Sequence, residues 1–88
     1  MKSQAGPRFW QLFGSLPADV QRLAERNYRL WQANPHHPSL RYRRLEGHDD
    51  LVSVRVGDHY GALGFVEAGT VIWIWIGHHA EYSRLIRG

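Results

Sequence analysis

The stretch Val71-Ile72-Trp73-Ile74-Trp75-Ile76 decides the fold: six consecutive β-branched or aromatic residues, closed by Gly77 and the polar cluster His78-His79-Ala80-Glu81-Tyr82. Alternation places Val71, Trp73 and Trp75 on one face and Ile72, Ile74 and Ile76 on the other, so the run predicts a strand buried on both faces. Chemistry is expected where such a strand ends, because loops and element ends are where a stiff scaffold presents functional groups.

Working upstream, Glu67-Ala68-Gly69-Thr70 predicts a hairpin into this strand from one spanning His59 to Val66. Gly57-Asp58 marks another tight turn. Before it, Leu51 to Val56 alternates, with Val52, Val54 and Val56 toward a core and Ser53 and Arg55 on the other face. Glu46 to Asp50 reads as a polar turn, and Arg41-Tyr42-Arg43-Arg44-Leu45 as a short strand with three Arg and no acid. Hydropathy alone would make Tyr60 to Gly77 a membrane span, but its glycines, Glu67 and the turn signal divide it into two strands. After Gly77, His79 to Ile86 is expected to form one or two helical turns or an extended tail.

Ahead of the sheet, Pro17 at a first helical position, with Ser15 before it and Asp19 in the first turn, starts a helix expected to run to about Ala33 and to stop before Asn34-Pro35. At about 100° per residue, Leu16, Val20, Leu23, Ala24, Leu30 and Trp31 share one face, with Tyr28 at its margin. Arg22, Arg26 and Arg29 lie opposite, and Glu25 supports Arg29 from four residues away. A solvated face is the ordinary reading of such a cluster; a surface for an acidic or nucleic-acid partner is the sharper one. Phe9, Trp10, Leu12 and Phe13 form a turn of helix or an edge strand, and Met1 to Pro7 read as a loose tail. The expected architecture is a single α+β domain over residues 1–88. One or two N-terminal helices pack on a bent antiparallel sheet of about four strands, with a short C-terminal turn or helix.

The 88 residues carry a formal net charge of +3, and ten of the eleven basic residues are Arg, whose planar fork suits bidentate phosphate or carboxylate contacts. An anionic partner follows, either nucleic acid or an acidic protein. The lack of cysteine excludes disulfides, thiolate nucleophiles and thiolate zinc sites, which fits a cytoplasmic location. Met1 to Gly14 has no apolar core of a signal peptide. His36-His37 and His78-His79 offer imidazoles, but adjacent residues of an extended chain point opposite ways and no acidic group supports them. No metal site and no cofactor are expected.

Several stretches together resemble a known family. They are the helix after Leu16-Pro17, the connector Asn34-Pro35-His36-His37-Pro38-Ser39-Leu40, the basic strand, Ser53-Val54-Arg55-Val56-Gly57, Tyr60 to Gly64, and the closing Trp73-Ile74-Trp75-Ile76-Gly77-His78-His79-Ala80-Glu81-Tyr82. Over Phe9 to Leu85 the chain is similar to the RelE/ParE toxin superfamily of bacterial toxin-antitoxin systems, and most similar to the small ParE-like toxins. The resemblance implies one of two activities. RelE-like members are metal-independent endoribonucleases that typically cut messenger RNA on the ribosome, whereas ParE-like members poison DNA gyrase without a nuclease site. Both are neutralised by an antitoxin that wraps the toxin.

RNA cleavage without metal requires an activated 2′-hydroxyl, neutralisation of the charge developing on the phosphate, and protonation of the leaving 5′-oxygen. Arg55 matches the sheet arginine that contacts phosphate in the nuclease branch, and Arg41, Arg43 and Arg44 are candidates to hold the RNA backbone. His79, or secondarily His78, falls where that branch often carries a basic or imidazole group. Tyr82 is placed to stack a base or supply a hydroxyl. Structural readings stand beside these: Arg55 as an exposed residue paired with Asp58 or Glu67, and Tyr82 as a cap packed on Trp73 or Trp75.

One departure counts against the nuclease. Related toxins generally carry Tyr-Arg-Ala-Leu-Gly where this chain has Tyr60-Gly61-Ala62-Leu63-Gly64, so a phosphate-neutralising arginine is missing at Gly61, a gap that His59 would fill. If the protein is instead a gyrase-binding toxin, Arg22, Arg26 and Trp31 are expected to matter more than His79. A third reading is an inactive binding module on the same fold. The Arg excess predicts an acidic antitoxin that lays a helix or strand over the basic sheet face.

Overall fold

In the computed structural model, which describes residues 2–47 and 50–86, the chain runs β1 (Lys2–Ala5), α1 (Pro7–Gly14), α2 (Ala18–Ala33), a 3-10 turn (Pro38–Leu40), β2 (Arg43–Arg44), β3 (Leu51–Val56), β4 (Tyr60–Glu67), β5 (Thr70–His78) and α3 (His79–Ile86). Met1 of the expected tail, and His48 and Asp49 of the expected polar turn, lie outside the described residues. The strands form one sheet in the order β1-β5-β4-β3-β2, antiparallel except for the parallel β1/β5 pair.

The α+β architecture is the expected one, with two corrections. Lys2–Ala5 is not a loose tail but a fifth strand, and it makes the sheet mixed rather than antiparallel. The reason lies in the main chain. β5 would otherwise leave a row of peptide N–H and C=O groups unpaired along an apolar edge, and a short polar segment satisfies them without any strand-like side-chain pattern of its own. The expected strand Arg41 to Leu45 shrinks to Arg43–Arg44, because Arg41 takes a left-handed conformation (φ 47°, ψ 40°) where it closes the 3-10 turn.

The second face of β5 departs from simple alternation. Leu63 opposes Trp75 while Gly64 opposes Trp73, so Ile74 is an extra residue on β5, a β-bulge. The bulge shifts the period by one. Val71, Trp73 and Ile76 face the helices α1 and α2 and are buried, whereas Trp75 turns to the opposite face and Ile74 is 37% exposed. The strand is therefore not buried on both sides along its length. Gly64 makes the bulge possible: a Cβ there would lie 2.9 Å from Trp73 Cε3 and 3.0 Å from the Ile72 carbonyl oxygen.

Packing divides along the two faces. On one, α2 buries Ala24 and Trp31 against Val52, Val56, Ala62, Val71, Trp73 and Ile76. Trp31, 1% exposed, is the hinge of this layer, edge-on to Trp73 at 5.3 Å and to Tyr42 at 5.6 Å between ring centroids. On the other face, Leu45, Leu63 and Tyr82 form a smaller cluster with Trp75, holding α3 against the sheet. Phe9, Leu12 and Phe13 make α1 a helix rather than an edge strand, through the apolar face they pack on the main core. Among the described residues, no helix is long and apolar enough to cross a membrane.

Candidate functional site

The face of the sheet beneath α3 carries the residues that alternation assigns opposite Val52, Val54 and Val56. Arg43 opposes Ser53 across β2/β3, Arg55 opposes Gly61 across β3/β4, and Gly61 opposes Gly77 across β4/β5. Cross-strand partners point to the same side of a sheet. The result is a cleft of about 230 Å³ lined by Arg41, Arg43, Ser53, Val54, Arg55, Gly61, His79 and Tyr82.

Each wall has a local cause. Arg41 is delivered by the left-handed turn after Pro38–Leu40, whose start is capped by His37: its Nδ1 accepts the Ser39 amide at 3.3 Å. Arg55 is held from behind by α2, where Asn27 Nδ2 donates to its carbonyl at 3.3 Å. Its guanidinium Nη1 donates to the Asp58 main-chain oxygen at 3.1 Å. That partner is a carbonyl and not the expected carboxylate of Asp58 or Glu67, so the bond orients the guanidinium without neutralising it. His79 opens α3; its amide donates to the His59 carbonyl at 2.7 Å, and its ring stacks on Tyr82 with centroids 5.3 Å apart. Tyr82 is 7% exposed and tilted against Trp75 at 6.4 Å, so it is at once a packing cap and a cleft wall.

Five of the sequence-derived candidates thus share one cleft: Arg41, Arg43, Arg55, His79 and Tyr82. The others do not join them. Arg44 pairs with Val52 and so belongs to the opposite side of the sheet from Arg43; with Trp31 it neighbours Tyr42, whose partial burial pushes its phenol above the ordinary value while the Arg44 charge pulls it down. His59 does not fill the gap at Gly61, because its ring stands outside the cleft, parallel to His78 at 6.3 Å. Arg22, Arg26 and Arg29 are exposed on α2, with Arg29 at the rim of an apolar groove that runs between the helices and the sheet past Phe9, Trp10 and Tyr28. Sequence reasoning missed Ser53 as a lining residue. The signal was present, since alternation placed it on the side of Arg55, but a small polar residue between valines reads as solvent-facing, whereas Leu45, Leu63 and α3 cover this end of the sheet and leave it 5% exposed.

The cleft gathers three guanidinium groups, an imidazole and a phenol, with no acidic side chain in its lining. Such a lining is chemically suited to a polyanion, and the imidazole is a group that can carry a proton. Among the described residues, no group of three or more His, Asp or Glu side chains is placed to hold a metal ion.

The model of the ParE-like toxin domain matches residues 18–84, from the start of α2 to the second turn of α3. The chain belongs to the ParE-like toxin domain family. The structural comparisons agree on the fold of this ParE-like domain. It is similar to the RelB-RelE antitoxin-toxin complex from Methanococcus jannaschii (TM-score 0.74, 16% identity, covering 93% of this chain and 96% of that one). It is also similar to YafQ from E. coli strain BL21(DE3) (TM-score 0.72, 9% identity, 92% and 96%) and to the YoeB/ParE toxin from Agrobacterium tumefaciens (TM-score 0.70, 15% identity, 90% and 99%). No curated protein matches the ParE-like chain by sequence.

Proposed function

We propose that the protein is the toxin of a toxin-antitoxin pair and that it cleaves RNA in the cleft beneath α3 without a metal ion. The observation that carries the reading is the convergence of Arg41, Arg43, Arg55, His79 and Tyr82 on one acid-free lining. In the proposed reaction the 2′-oxygen gives up its proton, bonds to the adjacent phosphorus, and displaces the 5′-oxygen, which takes a proton as the bond breaks. Arg55 and Arg43 neutralise the phosphoryl oxygens, Arg41 holds the flanking backbone, and His79, braced by the Tyr82 ring, transfers the proton. Arg44 and His59, set outside the cleft, are left to the approach of the RNA chain.

The complex from Methanococcus jannaschii supports an antitoxin as the physiological partner. For this chain the partner is taken to be acidic, complementing the cleft face and the Arg22, Arg26 and Arg29 side of α2. A second reading, a toxin that inhibits DNA gyrase by binding alone, is favoured by one observation: Gly61 leaves the floor of the cleft without the arginine that the superfamily generally has there.

The deciding experiment is a cell-free translation reaction supplied with the purified chain, followed by primer extension on the reporter messenger RNA. New discrete 5′ ends that vanish with Arg55→Ala and with His79→Ala are the expected result. Intact messenger RNA with normal protein yield would reject the nuclease and transfer the search to the α2 arginines.

A further inference from the structure

His78 is the last residue of β5 and directly precedes α3. Its Nδ1 accepts the amide N–H of Ala80 at 3.1 Å. That amide is the second of the helix, the position at which a capping side chain relieves the unpaired donors of a first turn. The preceding amide, that of His79, is taken by the His59 carbonyl. Caps are ordinarily Ser, Thr, Asn or Asp, whose oxygen accepts over the whole working range of a protein. An imidazole accepts at Nδ1 only while it is neutral.

We propose that His78 is a positioning residue: its neutral imidazole fixes the start of α3 and thereby sets His79 and Tyr82 against Arg55, and uptake of a proton releases them. The inference rests on the reading of the cleft as the functional site. Protonation turns Nδ1 into a donor facing the Ala80 donor and places positive charge at the end of a helix where it is unfavourable. The surroundings reinforce this. His59, from the turn between β3 and β4, lies parallel to His78 at 6.3 Å with an interplanar angle of 8°. Tyr60, from β4, meets it edge-on at 5.4 Å. On α3 itself His79 is adjacent, and Glu81 in the first turn is the group that opposes the effect. Three imidazoles, those of His59, His78 and His79, therefore stand together at one helix end.

The test compares wild type, His78→Ala and His78→Asn as full chains, the last retaining a capping oxygen that does not titrate. Amide hydrogen exchange over residues 79–83, corrected for intrinsic rates, is read at about pH 7.5 and about pH 5.5, either side of the imidazole range. Affinity is read alongside for a short RNA made uncleavable by 2′-deoxy substitution. At the higher pH, wild type and His78→Asn are expected to protect Ala80 and to bind alike, while His78→Ala loses about tenfold in protection, the scale of a lost cap, and binds more weakly. At the lower pH wild type loses protection and His78→Asn keeps it. A His78→Ala chain protected like wild type would overturn the proposal, as would a His78→Asn chain whose protection falls with pH as wild type's does. Protection following the expected pattern without RNA binding in any chain would uphold the cap and reject the cleft reading instead.

Discussion

Gly61 lies directly opposite Arg55 across the β3/β4 ladder, and both line the same cleft. A side chain grown from Gly61 would therefore enter the space beside the guanidinium; its Cβ would meet only the Val54 carbonyl oxygen, at 3.3 Å. Gly61→Arg is expected to add one phosphate contact, steepening the dependence of log affinity for single-stranded RNA on log salt by about 0.7. A salt titration of binding checks this, and an unchanged slope would mean that the new arginine does not reach the backbone.

Arg41 holds a left-handed backbone at the rim of the cleft, a conformation that costs a residue with a Cβ about 1–2 kcal/mol and glycine little. Arg41→Gly is expected to raise stability by about 0.5–1 kcal/mol while weakening RNA binding. Urea unfolding and the binding assay should move in opposite directions; a destabilised Arg41→Gly chain would show that the side chain contributes more to the fold than its backbone costs.

Ala68 (φ 50°) and Gly69 (φ 78°) form the two-residue turn between β4 and β5, where both central positions require positive φ. Ala68→Asn is expected to raise the melting temperature by about 2–6 °C, the equivalent of about 0.5–1 kcal/mol in a chain of this size. Gly64→Ala should act in the opposite sense, because its Cβ would strike the Trp73 ring and the Ile72 carbonyl; a loss of at least about 2 kcal/mol is expected.

Burial raises the titration of Tyr42 in the folded chain. A phenol that stays protonated longer when folded contributes stability that is intact below the unfolded value, about pH 10, and is lost as pH rises through the folded one. Denaturation midpoints are thus expected to fall above about pH 10 and to fall less steeply in Tyr42→Phe. Parallel slopes in the two chains would assign the alkaline loss to other groups.

Side-chain pattern made most of this molecule readable. Pro17 and Asn34-Pro35 bound α2 to within a residue, and the valines of β3 place Arg55 on the correct side of the sheet. What stayed hidden depends on the main chain. Ile74 fits a period of two as well as any neighbour, and only its registration with β4 exposes the bulge that sends Trp73 and Trp75 to opposite faces. Lys2–Ala5 pairs through peptide groups that every sequence possesses. The cleft was half legible: its arginines and His79 follow from charge and position, but Ser53 and the cap formed by His78 are set by which helix covers them.

The pairing of β1 with β5 also sets a sequence of events. Ser3 registers with Val71 and Ala5 with Trp73, partners 68 residues apart along the chain. Contacts that span so much of the chain form slowly, and during the wait the aromatic run has one unguarded side, a ready template for a second copy. In the folded chain Lys2–Ala5 covers that side. A chain stripped of those residues would keep its helices and its cleft and fail by self-association.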